Sequence, residues 1–207
     1  MLATVDRVSL AERPRTSTPA WARAAAAIGG FVALLYVIEF ADTLMDNRLD
    51  QEGVQPQDRE GLLGIVFAPL LHVGWEHLVA NTVPLLLLGF LILLSGVGHW
   101  LEVTAIVWIV GGVGTWLVAP PNTVHLGASV LVFGWLVHLI LRGFFTRQPG
   151  QIVLGLVVLF LYGGVLWGVL PGQTGISWQG HLFGALGGGL AAWLTASSAD
   201  APGRRTP

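Results

Sequence analysis

The chain has 207 residues, of which 54% are hydrophobic and only 11% charged, with a formal net charge of -2 and a mean hydropathy of +0.71. A soluble domain carries about a quarter charged residues, so a water-soluble globule is a poor fit, and the near-neutral balance gives no basis for a nucleic-acid partner. There is no cysteine, and all ten basic residues are arginine, which removes disulfides, thiolate nucleophiles, Cys-ligated metals and lysine-dependent covalent chemistry together. Continuous apolar runs, 28 glycines and 9 tryptophans point instead to an all-α polytopic membrane protein; a water-filled β-barrel would alternate.

A helix rises about 1.5 Å per residue, so a span needs about 20 mostly apolar residues. Six segments meet that test. Residues 1–19, rich in Pro, Ser, Thr, Ala and Arg, read as a disordered cytoplasmic tail, and residues 197–207 read likewise. Between them, residues 20–196 form one membrane domain. The first span is 20–40; it lies behind a polar stretch and runs into Asp42, not a small-residue cleavage site, so it is expected to be retained. The loop that follows, 42–71, carries six carboxylates against two arginines, and its apolar stretch 62–67 is too short to cross. That stretch is expected to lie at the interface or partly within the membrane.

The second span is 73–94 and the third 100–118, after which Pro120-Pro121 breaks the helix before a fourth at 123–141. A fifth, 152–170, ends at Pro171-Gly172, and a sixth covers 176–195. Arginines gather before the first span (Arg7, Arg13, Arg15, Arg23), after the fourth (Arg142, Arg147) and after the sixth (Arg204, Arg205). Positive flanks stay inside, so both termini are expected in the cytoplasm and the acidic loop outside. Short tails without a targeting sequence favour a prokaryotic plasma membrane.

Polar groups within a bilayer are costly, which makes each one a candidate for function. Spans two, four and six all start from the outer face, so their first residues share a depth, and His77, Asn81, Ser129 and His181 fall there. His77 and Asn81 are four apart and project from one helix face. A serine and a histidine on different helices, with two further donors at the same level, is the set that acyl transfer needs: the imidazole takes the hydroxyl proton and the donors stabilise the oxyanion. Gly180, Gly184 and Gly188, spaced by four, form a stripe that lets the sixth span approach a neighbour closely, and Gly127 allows an unusual backbone two residues before Ser129. A zinc-protease motif is absent, because Glu76-His77 has the reversed order with no second histidine one turn on, and no aspartate pair lies within spans. No metal and no cofactor is expected.

These residues resemble the rhomboid family of intramembrane serine proteases. The matching pieces are His77 to Asn81 for a His-x-x-x-Asn segment in the second helix, Gly127-Ala128-Ser129 for Gly-x-Ser, and His181-Leu182-Phe183-Gly184, continuing to Gly188, for His-x-x-Gly-x-x-x-Gly in the sixth. The resemblance implies a six-helix rhomboid-like bundle with Ser129 as nucleophile and His181 as general base, without an acidic third member. It further implies an oxyanion hole of His77, Asn81 and the Ser129 backbone N–H. The partners it implies are transmembrane protein substrates, cut near the outer surface of the lipid bilayer. Two departures stand out: Val130 follows Ser129 where many members have glycine, and residues 42–72 contain no tryptophan, so a frequent Trp-Arg pair is missing. The alternative is therefore a catalytically inactive relative that binds transmembrane helices. A small transporter ranks last, since the spans turn almost wholly apolar below the polar level. His72 is expected at the interface, His125 to reach the site only if its loop folds back, and His138 to pack or hydrogen-bond. Glu39 and Glu76 are expected to meet headgroups or water.

Overall fold

In a lipid environment every backbone N–H and C=O must be satisfied within the segment, so uninterrupted apolar runs fold as helices. The computed structural model describes residues 18–173 and 175–199 and bears this out. Its elements are α1 (Ala20–Leu44), a 3-10 turn at Leu49–Glu52, and α2 (Gly61–Phe67), which tightens into a 3-10 turn at Ala68–Leu70. Next come α3 (Gly74–Leu93), α4 (Val97–Val118), α5 (Ser129–Thr146), α6 (Pro149–Tyr162) with a 3-10 extension Gly163–Val169, and α7 (Trp178–Ala199). Among the described residues there is no strand beyond an isolated antiparallel bridge between Val54 and His125.

Among the described residues, five helices are long and apolar enough to cross a membrane: α1, α3, α4, α5 and α6 with its extension. The sixth expected span, α7, has 22 residues but a weaker apolar character, because it carries Gln179, His181 and a run of glycines. Its principal neighbours are α4 and α5. A helix sheltered by other helices needs less apolar surface than one facing lipid, which is the situation of α6, where Phe160 is 88% exposed. Leu35, Leu78, Leu85, Leu88, Leu131 and Trp135 form the centre of the core.

One expectation shifts, and another gains its structure. The fourth helix begins at Ser129, not at residue 123; the apolar residues before it form an extended connection pinned by hydrogen bonds. The short stretch at 62–67 is helical and lies along α4, where the Trp108 indole N–H donates to the Ile65 carbonyl at 2.8 Å. Most of the two tails lies outside the described residues, although α7 continues through Ala199, past the residue 197 boundary expected for the second tail.

Candidate active site

Hydrogen bonds on three consecutive stretches of backbone fix the chain just before Ser129. Val54 and His125 exchange N–H···O bonds of 2.8 and 2.9 Å, the Gly127 N–H donates to Ala68 O at 2.8 Å, and the Ala128 N–H donates to His72 Nε2 at 3.3 Å. Gly127 takes φ +123°, where an L side chain is strained, and a Cβ there would lie 2.9 Å from His77 Nε2. The glycine therefore supplies both the turn and the room for the His77 ring. Ser129 is the first residue of α5, and an N–H at that position has no acceptor inside its own helix.

The second side chain comes from the first turn of α7. Ser177 caps that helix, its Oγ accepting the Gly180 N–H at 3.2 Å, and His181 follows on the next residue. His181 Nε2 lies 2.9 Å from Ser129 Oγ, and its Nδ1 lies 3.0 Å from the Gly168 carbonyl oxygen. A carbonyl only accepts, so Nδ1 carries the proton and Nε2 is left with the lone pair that receives the Ser129 hydroxyl. Phe133, one turn after Ser129, stacks on the imidazole with centroids 4.0 Å apart and planes 11° from parallel. Hydroxyl, carbonyl and ring thus hold His181 from three sides.

The close approach of α5 and α7 depends on glycine. A Cβ at Gly184 would run into the Val130 carbonyl and one at Gly188 into the Gly134 carbonyl, one turn further along α5. Gly180 differs: its nearest neighbours are Ser177 Oγ and Thr115 Oγ1, at 3.0 and 3.6 Å from where its Cβ would sit. Val130 displaces neither helix, because its Cγ2 occupies the space over Gly111 of α4 where a Cβ would otherwise lie.

Ser129 opens on a narrow cleft whose walls include Ile65, Gly111, Thr115, His125 and Ser177. His77 and Asn81 are not among its lining residues. His77 stands against Gly127, and the Asn81 amide, 6% exposed, donates to the carbonyl of His77 on its own helix at 3.1 Å. Asn81 has a second N–H beyond that bond.

Four further groups surround the site: His72, His125, Phe133 and the Gly168 carbonyl. His72 is not interfacial: it is 1% exposed, accepts from Ala128, and lies 5.2 Å from the His77 ring, edge to face. Burial, and secondarily the neighbouring His77, pushes its pKa down to about 3. The loop carrying His125 does fold back. Its Nδ1 is 2.7 Å from Ser177 Oγ and its Nε2 2.8 Å from Thr123 Oγ1, and burial lowers its pKa. Thr123 Oγ1 donates its proton to the Pro120 carbonyl at 2.6 Å and so accepts from His125 Nε2–H, which leaves Nδ1 to accept the Ser177 hydroxyl proton. Phe133 could have been found from its spacing of four from Ser129; the Gly168 carbonyl carries no side-chain signal at all.

Burial corrects the expectation for Glu39 and agrees with those for His138 and Glu76. Glu39 does not meet headgroups or water; it is 2% exposed, and its Oε1 has no hydrogen-bond partner among the described residues. His138 is fully buried with neither ring nitrogen bonded among those residues, so it packs, 5.3 Å from the His99 ring. Glu76 is exposed as expected.

A family model described as "Rhomboid domain" matches residues 59–198. An uncharacterized protein of Mycobacterium tuberculosis (strain H37Rv) is 51% identical over 196 residues, covering 88% of this chain and 82% of the relative. One of Mycobacterium leprae is 46% identical over 216 residues, covering 99% and 84%. YdcA of Bacillus subtilis, whose name places it provisionally among the rhomboid proteases, is 33% identical over 127 residues, covering 60% of this chain and 63% of its own.

Proposed function

The chain belongs to the rhomboid family, and from that membership we propose that it is an intramembrane serine endopeptidase acting on transmembrane segments of other proteins. The observation that carries the reading is the 2.9 Å contact between Ser129 Oγ and His181 Nε2. In the proposed reaction His181 Nε2 takes the hydroxyl proton as Ser129 Oγ attacks the scissile carbonyl carbon. The resulting oxyanion is held by the Ser129 backbone N–H at the start of α5, with His77 and the second amide N–H of Asn81 as side-chain donors. His181 then gives its proton to the departing amine, and an incoming water, deprotonated by the same imidazole, hydrolyses the acyl-enzyme.

A helical peptide bond is hydrogen-bonded and sterically shielded, so the substrate must unwind locally to reach Ser129. The proposed topology places the termini in the cytoplasm and the site near the outer face, in keeping with the arginine flanks. The alternative, an inactive relative that binds transmembrane helices, rests on Val130 and on the missing Trp-Arg pair. The fit of Val130 over Gly111 favours activity.

The test is cleavage of a transmembrane substrate by the purified protein in liposomes. Ser129→Ala should abolish it, and His181→Ala should slow it by about 100-fold to 10,000-fold, the range of general-base contributions. Full activity in either variant would end the assignment.

A further inference from the structure

A serine–histidine pair works only if the imidazole presents a lone pair to the hydroxyl, and in a triad an acid on the far nitrogen enforces that tautomer. Here the far nitrogen of His181 meets a backbone carbonyl, Gly168 O, at 3.0 Å. We propose that this carbonyl is the third member of the relay, so that Gly168 is a positioning residue and the seating of the 3-10 segment Gly163–Val169 decides whether the base is armed. The inference rests on the serine-protease reading of the same site.

Three features carry it. A carbonyl oxygen accepts but never donates, so while the bond stands the Nδ1–H tautomer is the one compatible with it and Nε2 stays free for Ser129. The residue must also be glycine for the carbonyl to come this close: a Cβ at 168 would lie 3.1 Å from His181 Nδ1 and 2.8 Å from Phe133 Cζ, the ring that clamps the imidazole face. Its φ is not in the left-handed region, so the glycine answers to space and not to backbone conformation.

The third feature is the segment itself. It runs for seven residues with no buried member, whereas 3-10 runs beyond about three or four residues are uncommon and often mark hinges. Trp167, immediately before Gly168, is 70% exposed. Bonds beyond it are local, from the Leu170 N–H and the Gln173 side-chain amide to the Trp167 carbonyl at 3.1 and 3.3 Å. The group that orients the base therefore sits on a segment with no buried residue, held by Val165 and Leu166 against the core and by Gly168 against His181. A carboxylate on a rigid helix would fix the tautomer permanently; a carbonyl here does so only in one seating.

The experiment is ¹⁵N NMR of histidine-labelled full-length protein in bilayers, with the His181 signals assigned by their loss in His181→Gln, alongside steady-state cleavage. Wild type should show neutral His181 protonated at Nδ1. Gly168→Ala should move the signal toward the Nε2–H tautomer and lower kcat by about tenfold or more, with KM within about twofold, since the lost interaction orients the base and does not bind substrate. Replacing the Gly168–Val169 amide by an ester weakens the carbonyl as an acceptor without adding an atom, and should shift the tautomer and kcat in the same direction even if Gly168→Ala folds poorly. A wild-type His181 protonated at Nε2, or a Gly168→Ala protein that keeps both the Nδ1–H signal and full kcat, overturns the proposal. Loss of the protease reading looks different: no cleavage by wild type, with the Nδ1–H signal and its response to Gly168→Ala intact.

Discussion

At Gly127 two constraints coincide, a backbone φ of +123° and a neighbouring imidazole where a Cβ would project. Gly127→Ala is predicted to cost strain on the order of 1–3 kcal/mol and to displace His77, so cleavage should fall much further than thermal stability; an alanine variant with the wild-type rate would contradict this. His72 gives a prediction of opposite kind. Its folded pKa of about 3 lies below the ordinary value near 6.5, so between those values the unfolded chain holds the extra proton. Its contribution to stability is complete above about pH 6.5 and is lost at about 1.4 kcal/mol per pH unit as the pH falls toward 3. His72→Gln, which keeps an acceptor for the Ala128 N–H, should flatten that dependence by one proton when unfolding is followed between about pH 7 and pH 4.5. An unchanged slope would argue against a buried neutral His72. Ser129, His181 and Gly127 were legible because polar or turn-forming residues stand out against an apolar background. His72 was not, and His125 was so only on condition that its loop folds back, since both lie in connections whose paths are set by partners 56 and 52 residues away, and a depth argument follows helices only.

The helices owe their spacing to pairs of positions, not to single residues. Val130 and Gly111 form one such pair: the valine methyl fills the volume that a Cβ at 111 would need. Gly111→Ala is predicted to overpack and destabilise by about 1–3 kcal/mol, and adding Val130→Ala should recover much of the loss. A double-mutant cycle read by thermal unfolding should give a coupling of at least about 1 kcal/mol; simple additivity would refute the pairing. The glycine stripe on α7 was readable as a close-packing device, yet its partners were not. Gly184 and Gly188 face the Val130 and Gly134 carbonyls, while Gly180 faces the cap and Thr115. The late start of α5 was hidden because Val124, Leu126 and Ala128 are as apolar as a helix interior, and only the hydrogen bonds of His125, Gly127 and Ala128 to Val54, Ala68 and His72 reveal the extended path. The 3-10 end of α6 was hidden for a similar reason: an apolar run with glycines has the same hydropathy in either helix type.

Across the whole molecule, the order of helices followed from the length of the apolar runs and from the breakers Pro120-Pro121 and Pro171-Gly172. The alternation they impose is what brings the starts of α5 and α7 to one end. The segment between α1 and α3 was less legible. It reads as a polar loop, but it supplies Val54, Ala68 and His72 to the turn before Ser129 and so helps to build the site. Glu39 and Asp42, both 2% exposed at the far end of α1, belong to the same region, where Asp42 Oδ1 accepts the Leu49 N–H at 2.7 Å. Burial, and secondarily the charge of Asp42, raises the Asp50 pKa there. The molecule's central claim is that Ser129 is a nucleophile activated by His181. Labelling of the purified protein with a serine-directed fluorophosphonate, mapped by mass spectrometry, tests it most directly. The account predicts modification at Ser129 in the wild type, none in Ser129→Ala, and strongly slowed modification in His181→Ala; an unreactive wild type, or labelling that is indifferent to His181, would contradict it.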